Sequence, residues 1–425
     1  MYSIAELYQQ YLRFPEINTD SRKLKPNTFF VCLKGDRFNG NDFALQALEG
    51  GAGVVLMDED HGIGDSRVVR VENCLETLQD LARFHRSQLT IPVVGLTGSN
   101  GKTTSKELFK AVLEQKFRVA ATQGNLNNHI GVPLTLLSIT PEHQIGIVEM
   151  GANAQREIAF LSEIAQPDIG YITNFGKAHL EGFGGIEGVI KGKSELYEYL
   201  RSHGKTALVN SADDLQMEKS ADIERFLFGP DEPEPFQFDF EDHPSGMKLR
   251  WGRIWTSTQL TGAYNFSNVA AAFRLGLHFG IEPTQIQSAL QQYVPTNQRS
   301  ERRQTERNQL VVDCYNANPS SMKVALDNIL VLPGPHCVIL GDMFEMGPYE
   351  AEEHQAIVDQ LGHIDMERVL LVGPAFGRTH CPPEFIRFAT TQQAYHFLDS
   401  NPISGYTVLL KGSRGMALET LIPLL

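Results

Sequence analysis

The run Thr97-Gly98-Ser99-Asn100-Gly101-Lys102-Thr103-Thr104 brings glycines, a lysine and hydroxyl side chains together in one short stretch. Glycines let backbone amides close on an anion, Lys102 adds a positive charge, and the Thr103 hydroxyl suits Mg²⁺. An apolar run at 91–96 reads as a buried strand before the loop, and 105–114 reads as an amphipathic helix after it. Strand, glycine loop and helix N-terminus together form the context of a phosphate cradle. Gly98, Ser99, Asn100, Gly101, Lys102, Thr103 and Thr104 are therefore the expected nucleotide-phosphate contacts. The general eight-residue phosphate-loop pattern would place a glycine at 96, where this chain has Leu96. On the loop alone, kinase, GTPase and ligase chemistry all stay open.

Four further clusters carry polar chemistry. The stretch 122–133, Thr-Gln-Gly-Asn-Leu-Asn-Asn-His-Ile-Gly-Val-Pro, gathers amide side chains and glycines, although asparagine-rich loops are often only turns. Glu149 ends an apolar run at 147–148, the place where a Mg²⁺-binding carboxylate would belong. His179 closes the stretch Thr-Asn-Phe-Gly-Lys-Ala-His at 173–179, and Lys193 follows in Lys-Gly-Lys-Ser-Glu at 191–195. Alone, either would read as solvated surface. Asn316-Ala317-Asn318-Pro319 stands just after a strand-like run that ends in Asp313, with Cys314 beside it as a small core residue.

Three units must position these groups. Apolar runs at 28–33 and 53–57 flank a helix-like stretch at 41–49, a small α/β unit whose helix at 76–88 leads to a boundary near 87. From 88 to 296, strand patterns at 91–96, 144–149, 169–173 and 206–209 alternate with helices, which reads as a mostly parallel sheet. The acidic, proline-bearing 231–235 reads as a surface turn, and the polar 296–307 as a linker or hinge. From 297 to 425, runs at 310–313, 336–342, 369–373 and 406–410 give a second alternation and a Rossmann-like unit.

Composition narrows the class further. A formal net charge of −14 lacks the basic footprint of a nucleic-acid binder. Five cysteines, odd in number and without a CxxC pair, argue against a disulfide framework or structural zinc. No run approaches the ~18 apolar residues of a membrane helix, and the first residues have no signal-peptide pattern, so a cytoplasmic protein without membrane insertion is expected.

The phosphate loop, Gly124-Asn125 with Asn127-Asn128 and Gly131-Val132-Pro133, and Tyr315-Asn316-Ala317-Asn318-Pro319 together resemble the Mur ligase superfamily of ATP-dependent amide-forming enzymes. Gly341-Asp342-Met343-Phe344-Glu345-Met346-Gly347, Lys411-Gly412-Ser413-Arg414-Gly415 and Thr19-Asp20-Ser21-Arg22 with 29–35 extend the resemblance over nearly the whole chain. Asn316-Ala317-Asn318-Pro319 points within the family to members that take D-alanyl-D-alanine, whereas those adding diaminopimelate or lysine would show Asp-Asn-Pro-Arg.

The resemblance implies an α/β, three-domain architecture. It comprises an N-terminal UDP-substrate domain (1–87), a central P-loop, parallel-sheet ATP domain (88–296) and a C-terminal Rossmann-like ligase domain (297–425). It implies two Mg²⁺ sites, the first held by Thr103 and Glu149 and the second by His179, with Lys193 carbamylated as a further ligand. Lys102, His179, Lys193 and Asn268 form the expected catalytic set. Asn265 would contact adenine, Arg299 phosphate and Asp313 ribose. Asn268 also fits an N-cap for a helix at 269–279. Ser21 and Arg22 would contact UDP, Asn127 and Asn128 the muramoyl and peptide arm, and Asn316 and Asn318 the dipeptide. The implied substrates are ATP, UDP-N-acetylmuramoyl-tripeptide and D-Ala-D-Ala, with the third residue of the tripeptide open between diaminopimelate and lysine. A monomer is the default expectation. Asn39-Gly40-Asn41 departs from the Asp-Gly-His of many members, which weakens any substrate role there.

Two rival readings have their own signatures. A folate-type amide ligase would lack the Ser21-Arg22 unit, and a non-catalytic nucleotide-binding scaffold would not need Glu149, His179 and Lys193 after the loop.

Overall fold

The computed structural model describes residues 2–233, 236–241, 246–260, 262–295 and 301–425. The first unit is a four-stranded parallel sheet in the order Ile17–Asn18, Phe29–Val31, Val54–Met57, Val68–Arg70. Its helices Ile4–Arg13 and Cys74–Gln88 pack against the central unit. Tyr11 donates its hydroxyl to the Leu137 carbonyl at 2.6 Å. The buried Arg86 guanidinium caps the carbonyls of Ala165 and Gln166 and pairs with Asp168 at 2.8 Å.

The central sheet has six parallel strands, ordered Arg225–Phe228, Thr206–Asn210, Ile169–Ile172, Val93–Thr97, Ile145–Glu149, Val119–Ala121. Val93–Thr97 is buried throughout and lies between the strands that end at Glu149 and Ile172. Strands covered on both faces read as unbroken apolar runs, which is why Val93–Thr97, Ile145–Glu149, Ile169–Ile172 and Thr206–Asn210 are legible in the sequence, whereas the edge strands Val119–Ala121 and Arg225–Phe228 are not. Ligands of such sheets bind beyond the carboxyl ends of the strands, where the connections diverge to opposite sides. Thr97, Glu149 and Thr173 all sit at that edge.

Five expectations need correction. The helix after the phosphate loop is Lys102–Leu113, so it begins at the lysine and not at 105. Gly101, left-handed at φ 80°, turns the chain directly into it. The stretch at 41–49 is a 3₁₀ turn, Gly40–Phe43, followed by the short helix Ala44–Glu49. The helix expected at 269–279 starts three residues earlier, at Phe266, and runs to His278. Asn268 therefore lies inside its first turn and is not an N-cap.

The fourth correction concerns the hinge. Residues 296–300 lie outside the described residues, but Glu301–Gln304 is an edge strand pairing antiparallel with Gln309–Asp313. At least that part of 296–307 is ordered sheet. The last correction adds an unforeseen antiparallel sheet, Phe238–Glu241, Lys248–Trp251, Ile254–Ser257. The expected turn at 231–235 lies outside the described residues at 234 and 235.

The third unit's sheet runs Glu301–Gln304, Gln309–Asp313, Thr407–Lys411, His336–Gly341, Arg368–Val372, Ile386–Phe388, parallel beyond its first pair. No described helix is long and apolar enough to cross a membrane.

Candidate active site

A cleft of about 750 Å³ opens over the carboxyl edge of the central sheet and is closed on its far side by the third unit. Ser99, Asn100, Gly101, Lys102 and Thr104 form its floor. Neighbouring loops hold this phosphate loop rigidly. Ser99 donates its hydroxyl to the Gly176 carbonyl at 2.7 Å, Asn174 accepts the Asn100 amide at 3.1 Å, and Thr173 donates to the Asn100 carbonyl at 2.5 Å. Gly98, at φ 142°, lies where any Cβ would strike Thr173. The Lys102 ammonium folds over the loop, donating to the Gly98 carbonyl at 2.6 Å.

Glu149 is 1% exposed, yet it lines the cleft. Its Oε1 accepts from Asn127 Nδ2 at 2.7 Å and Thr103 Oγ1 at 3.3 Å, while Oε2 has no partner among the described residues. A buried carboxylate oxygen without a donor is costly and calls for an explanation, of which a cation is the simplest. Carboxylate plus hydroxyl at a phosphate loop is a donor set that fits Mg²⁺, which typically takes one or two protein oxygens and completes its shell with phosphate and water. The described residues contain no cluster of three or more His, Cys, Asp or Glu placed to hold a metal ion.

Lys193 lies beneath the wall formed by Ala152. It is 1% exposed, donates to the Ala152 carbonyl at 3.3 Å and stands over the Phe183 ring at 5.0 Å. Burial pushes its amine far below the usual lysine range, and the Lys102 charge adds to the depression. Glu195, two residues on from Lys193 in the helix Ile186–Ser202, accepts the backbone amides of Arg156 and Ala159.

The third unit reaches the cleft through polar contacts. Asn318 donates to Asn100 Oδ1 at 2.7 Å, Ser320 accepts the Lys177 amide at 2.8 Å, and Lys177 pairs with Glu353 at 2.5 Å. His179 Nδ1 bonds the Glu345 carboxylate, which holds that carboxyl below its ordinary range. Both residues have left-handed backbone, φ 52° and 62°. Asp313 faces the cleft with Oδ2 on Lys411 Nζ at 2.6 Å, and Lys411 is itself 1% exposed.

Three family models match in succession: the Mur ligase family catalytic domain over 14–86, the Mur ligase middle domain over 96–276, and the Mur ligase glutamate ligase domain over 298–414. The chain is 32% identical to the UDP-N-acetylmuramoyl-tripeptide–D-alanyl-D-alanine ligase of Bacillus subtilis, covering 99% of this chain and 96% of that protein. The chain belongs to the Mur ligase family. The Escherichia coli ligase of the same name is also 32% identical over 98% of this chain and 95% of its own length. Among solved structures, MurF of Acinetobacter baumannii superposes with a TM-score of 0.88 at 29% identity, covering 99% and 98% of the two chains. MurF of Thermotoga maritima in complex with ADP superposes at 0.85 and 26% identity, covering 97% of each.

Against this Mur ligase geometry, the cleft gathers Asn100, Lys102, Glu149, His179, Asn265, Asn268, Asp313 and Asn316, with Thr103 buried behind it. Asn268 accepts from Ser105 at 2.9 Å and donates to Asn265 at 3.0 Å, and Gly101 packs against its amide. It therefore braces the phosphate loop from behind.

Asn128 and Asn318 line the cleft, but each has its carbonyl committed to local backbone. Asn128 accepts the amides of Ile130 and Gly131, and Asn318 caps the helix Pro319–Ile329. Ser21 and Arg22 lie in a 3₁₀ turn that does not line this cleft, and Arg22 pairs with Asp20 at 2.8 Å. Arg299 lies outside the described residues.

Sequence reasoning gave no role to Asn174, Lys177, Glu345 or Lys411. All four stand in quoted motifs, but their partners are far away in the chain. The buried Asn41 and the half-buried Asn39 form a structural knot, in which Asn41 donates to Asn39 Oδ1 at 2.9 Å and to Asp58 at 2.8 Å. The Cys314 thiol, buried and pushed up to about 12 chiefly by desolvation, is inert. Cys314→Ala should leave turnover within about twofold of wild type in a steady-state assay, since such a thiol contributes only packing.

Proposed function

We propose that this chain joins D-alanyl-D-alanine to the terminal carboxylate of UDP-N-acetylmuramoyl-tripeptide, using ATP through an acyl phosphate. What carries the reading is the bare Glu149 oxygen beside Thr103 at the phosphate loop, on a chain alike over its full length to ligases of that name. A carboxylate cannot be displaced by an amine directly, because its oxygen is a poor leaving group. Transfer of the γ-phosphoryl to that oxygen makes phosphate the leaving group. The dipeptide amine then attacks the carbonyl carbon, and the tetrahedral intermediate expels phosphate, giving amide, ADP and phosphate.

Negative charge grows at each stage, so cationic and amide groups must already be in place. Lys102 and the loop amides would hold phosphoryl oxygens, Asn265 adenine and Asp313 ribose. Thr103 and Glu149 would hold one Mg²⁺ and His179 a second; bound there, the ions would offset charge on the transferring group. Lys193, whose burial lowers its amine pKa and so favours the unprotonated form that reacts, would add to CO₂ and lose a proton to become a carbamate, an anionic partner for the second ion.

Incubation with ATP, UDP-N-acetylmuramoyl-tripeptide and either D-Ala-D-Ala or single amino acids tests this, with mass spectrometry of the product. The expected product gains the dipeptide less one water, with equimolar phosphate. Phosphate release with free D-glutamate or diaminopimelate, but not with the dipeptide, would overturn it.

The interdomain contacts add a prediction. Lys177 is half-exposed while its partner Glu353 is buried, so the pair contributes little to global stability but seats the third unit. Lys177→Met should raise the KM for dipeptide about fivefold, the effect of ~1 kcal/mol of coupling, and enlarge the particle in small-angle scattering. An unchanged KM and profile would show that the contact is incidental.

A further inference from the structure

Among the groups around the cleft, Asn127 has partners that its expected contact with the muramoyl arm does not require. The residue is held at three points, two on its backbone and one on its side-chain amide. The backbone carbonyl accepts the Gly151 amide at 2.7 Å, the backbone amide donates to the Asn125 carbonyl at 2.8 Å, and Nδ2 donates to Glu149 Oε1 at 2.7 Å. An ionised carboxylate only accepts, so the nitrogen of the amide must face Glu149. A Cβ at Gly151 would fall 2.9–3.0 Å from the Asn127 amide atoms, so a side chain there would crowd this arrangement.

Glu149 is pinned in turn at backbone and side chain. Its amide donates to Thr122 Oγ1 at 2.9 Å, and the Thr122 carbonyl is held by buried Lys106 at 2.8 Å. Both side-chain donors, Asn127 and Thr103, take the same oxygen. That asymmetry fixes the carboxylate's rotation and leaves Oε2 as the bare one.

We propose that Asn127 is a positioning residue: it turns Glu149 so that one oxygen is tied down and the other is presented to a divalent cation bound with nucleotide. The proposal rests on the ligase reading above and deepens it. Groups that orient a metal ligand through a hydrogen bond typically change metal affinity by 10–100-fold when removed. A residue that instead grips the muramoyl substrate would change the KM for that substrate and leave the metal alone.

Mn²⁺ serves as the probe. It is titrated by electron paramagnetic resonance into the full-length protein with a non-hydrolysable ATP analogue and no muramoyl substrate. Asn127→Ala and the near-isosteric, non-donating Asn127→Leu are compared with wild type, with Glu149→Gln and with Asn127→Ala in the Glu149→Gln background. Asn127→Leu keeps the question answerable should the smaller side chain disturb the loop.

The expected result is a Kd for Mn²⁺ raised by about 10–100-fold in both variants. The KM for UDP-N-acetylmuramoyl-tripeptide should stay within about twofold, and Asn127→Ala should have no further effect once Glu149 is glutamine. Unchanged Mn²⁺ affinity with a raised muramoyl KM would overturn the proposal, as would an Asn127→Ala effect that persists in full in the Glu149→Gln background. Amide synthesis by wild type is measured in parallel. If Asn127 governs Mn²⁺ affinity while wild type makes no amide, the ligase reading fails and the positioning role stands.

Discussion

Replacing Lys193 by methionine should lower turnover by more than about 100-fold while leaving the protein at least as stable as wild type at neutral pH. The catalytic half follows from the expected role, since loss of a ligand should exceed the 10–100-fold typical of removing a group behind one. The stability half follows from the amine's surroundings. Lys193 is 1% exposed, its hydrogen bond to the Ala152 carbonyl is long at 3.3 Å, and the Phe183 ring lies 5.0 Å from its nitrogen. Desolvation leads the lowering of its pKa, the Lys102 charge adds to it, and Glu157 and Glu195 oppose it without prevailing.

The sign of the pH effect follows by linkage. Between the depressed folded value and the ordinary 10.5, the unfolded chain binds a proton that the folded chain does not. In that window Lys193 disfavours folding, and stability rises with pH until the unfolded lysine also deprotonates. Methionine, similar in length and uncharged, removes this penalty. The stability advantage of Lys193→Met should therefore grow as pH falls from the ordinary 10.5 toward the depressed folded value, stay constant below it and vanish above 10.5, as read by denaturant titration at several pH values. Depleting CO₂ should slow wild type, bicarbonate should restore it, and the variant should respond to neither. A Lys193→Met enzyme within about tenfold of wild type would mean that the side chain only fills space.

Why the buried lysine could be located in sequence, but its environment could not, is instructive for the whole chain. Val93–Thr97, Ile145–Glu149 and His336–Gly341 are unbroken apolar runs because helices cover both faces, and such runs are local signals. The phosphate loop is likewise one contiguous stretch between a strand and a helix. Pairings between distant residues leave no such trace. Asp313 meets Lys411 98 positions later, and Asn318 meets Asn100 218 positions earlier. Nothing in the spacing of Asn127 distinguishes a substrate contact from a brace on Glu149.

The errors at helix starts have a different origin. Asn268 has a good capping side chain, but tertiary contacts with Ser105 and the phosphate loop claim it inside the first turn. The antiparallel sheet at 238–257 escaped because its short strands are only partly buried, with polar and charged residues throughout.

Glu149→Gln should separate stability from function most sharply. The amide is nearly isosteric and its oxygen can keep the bonds from Asn127 and Thr103, at 2.7 and 3.3 Å, so the loop should keep its shape. What disappears is a buried negative charge with one oxygen lacking any donor among the described residues. Leaving such a group unpaired costs about 1–3 kcal/mol, and a neutral amide in its place costs less. The variant without nucleotide should therefore melt at the wild-type temperature or slightly above it. Turnover should fall on the order of 10³-fold, because a cation's contribution to stabilising transferred charge is several kcal/mol. Addition of Mg²⁺ to the nucleotide-bound protein should raise the melting temperature of wild type and leave that of Glu149→Gln unmoved, which calorimetry reads without reference to catalysis. If Glu149→Gln melts well below wild type, the carboxylate is a structural anchor of the Asn127 loop. If it keeps the Mg²⁺-dependent rise, another residue holds the ion, and the bare oxygen has lost the explanation that links this cleft to phosphoryl transfer.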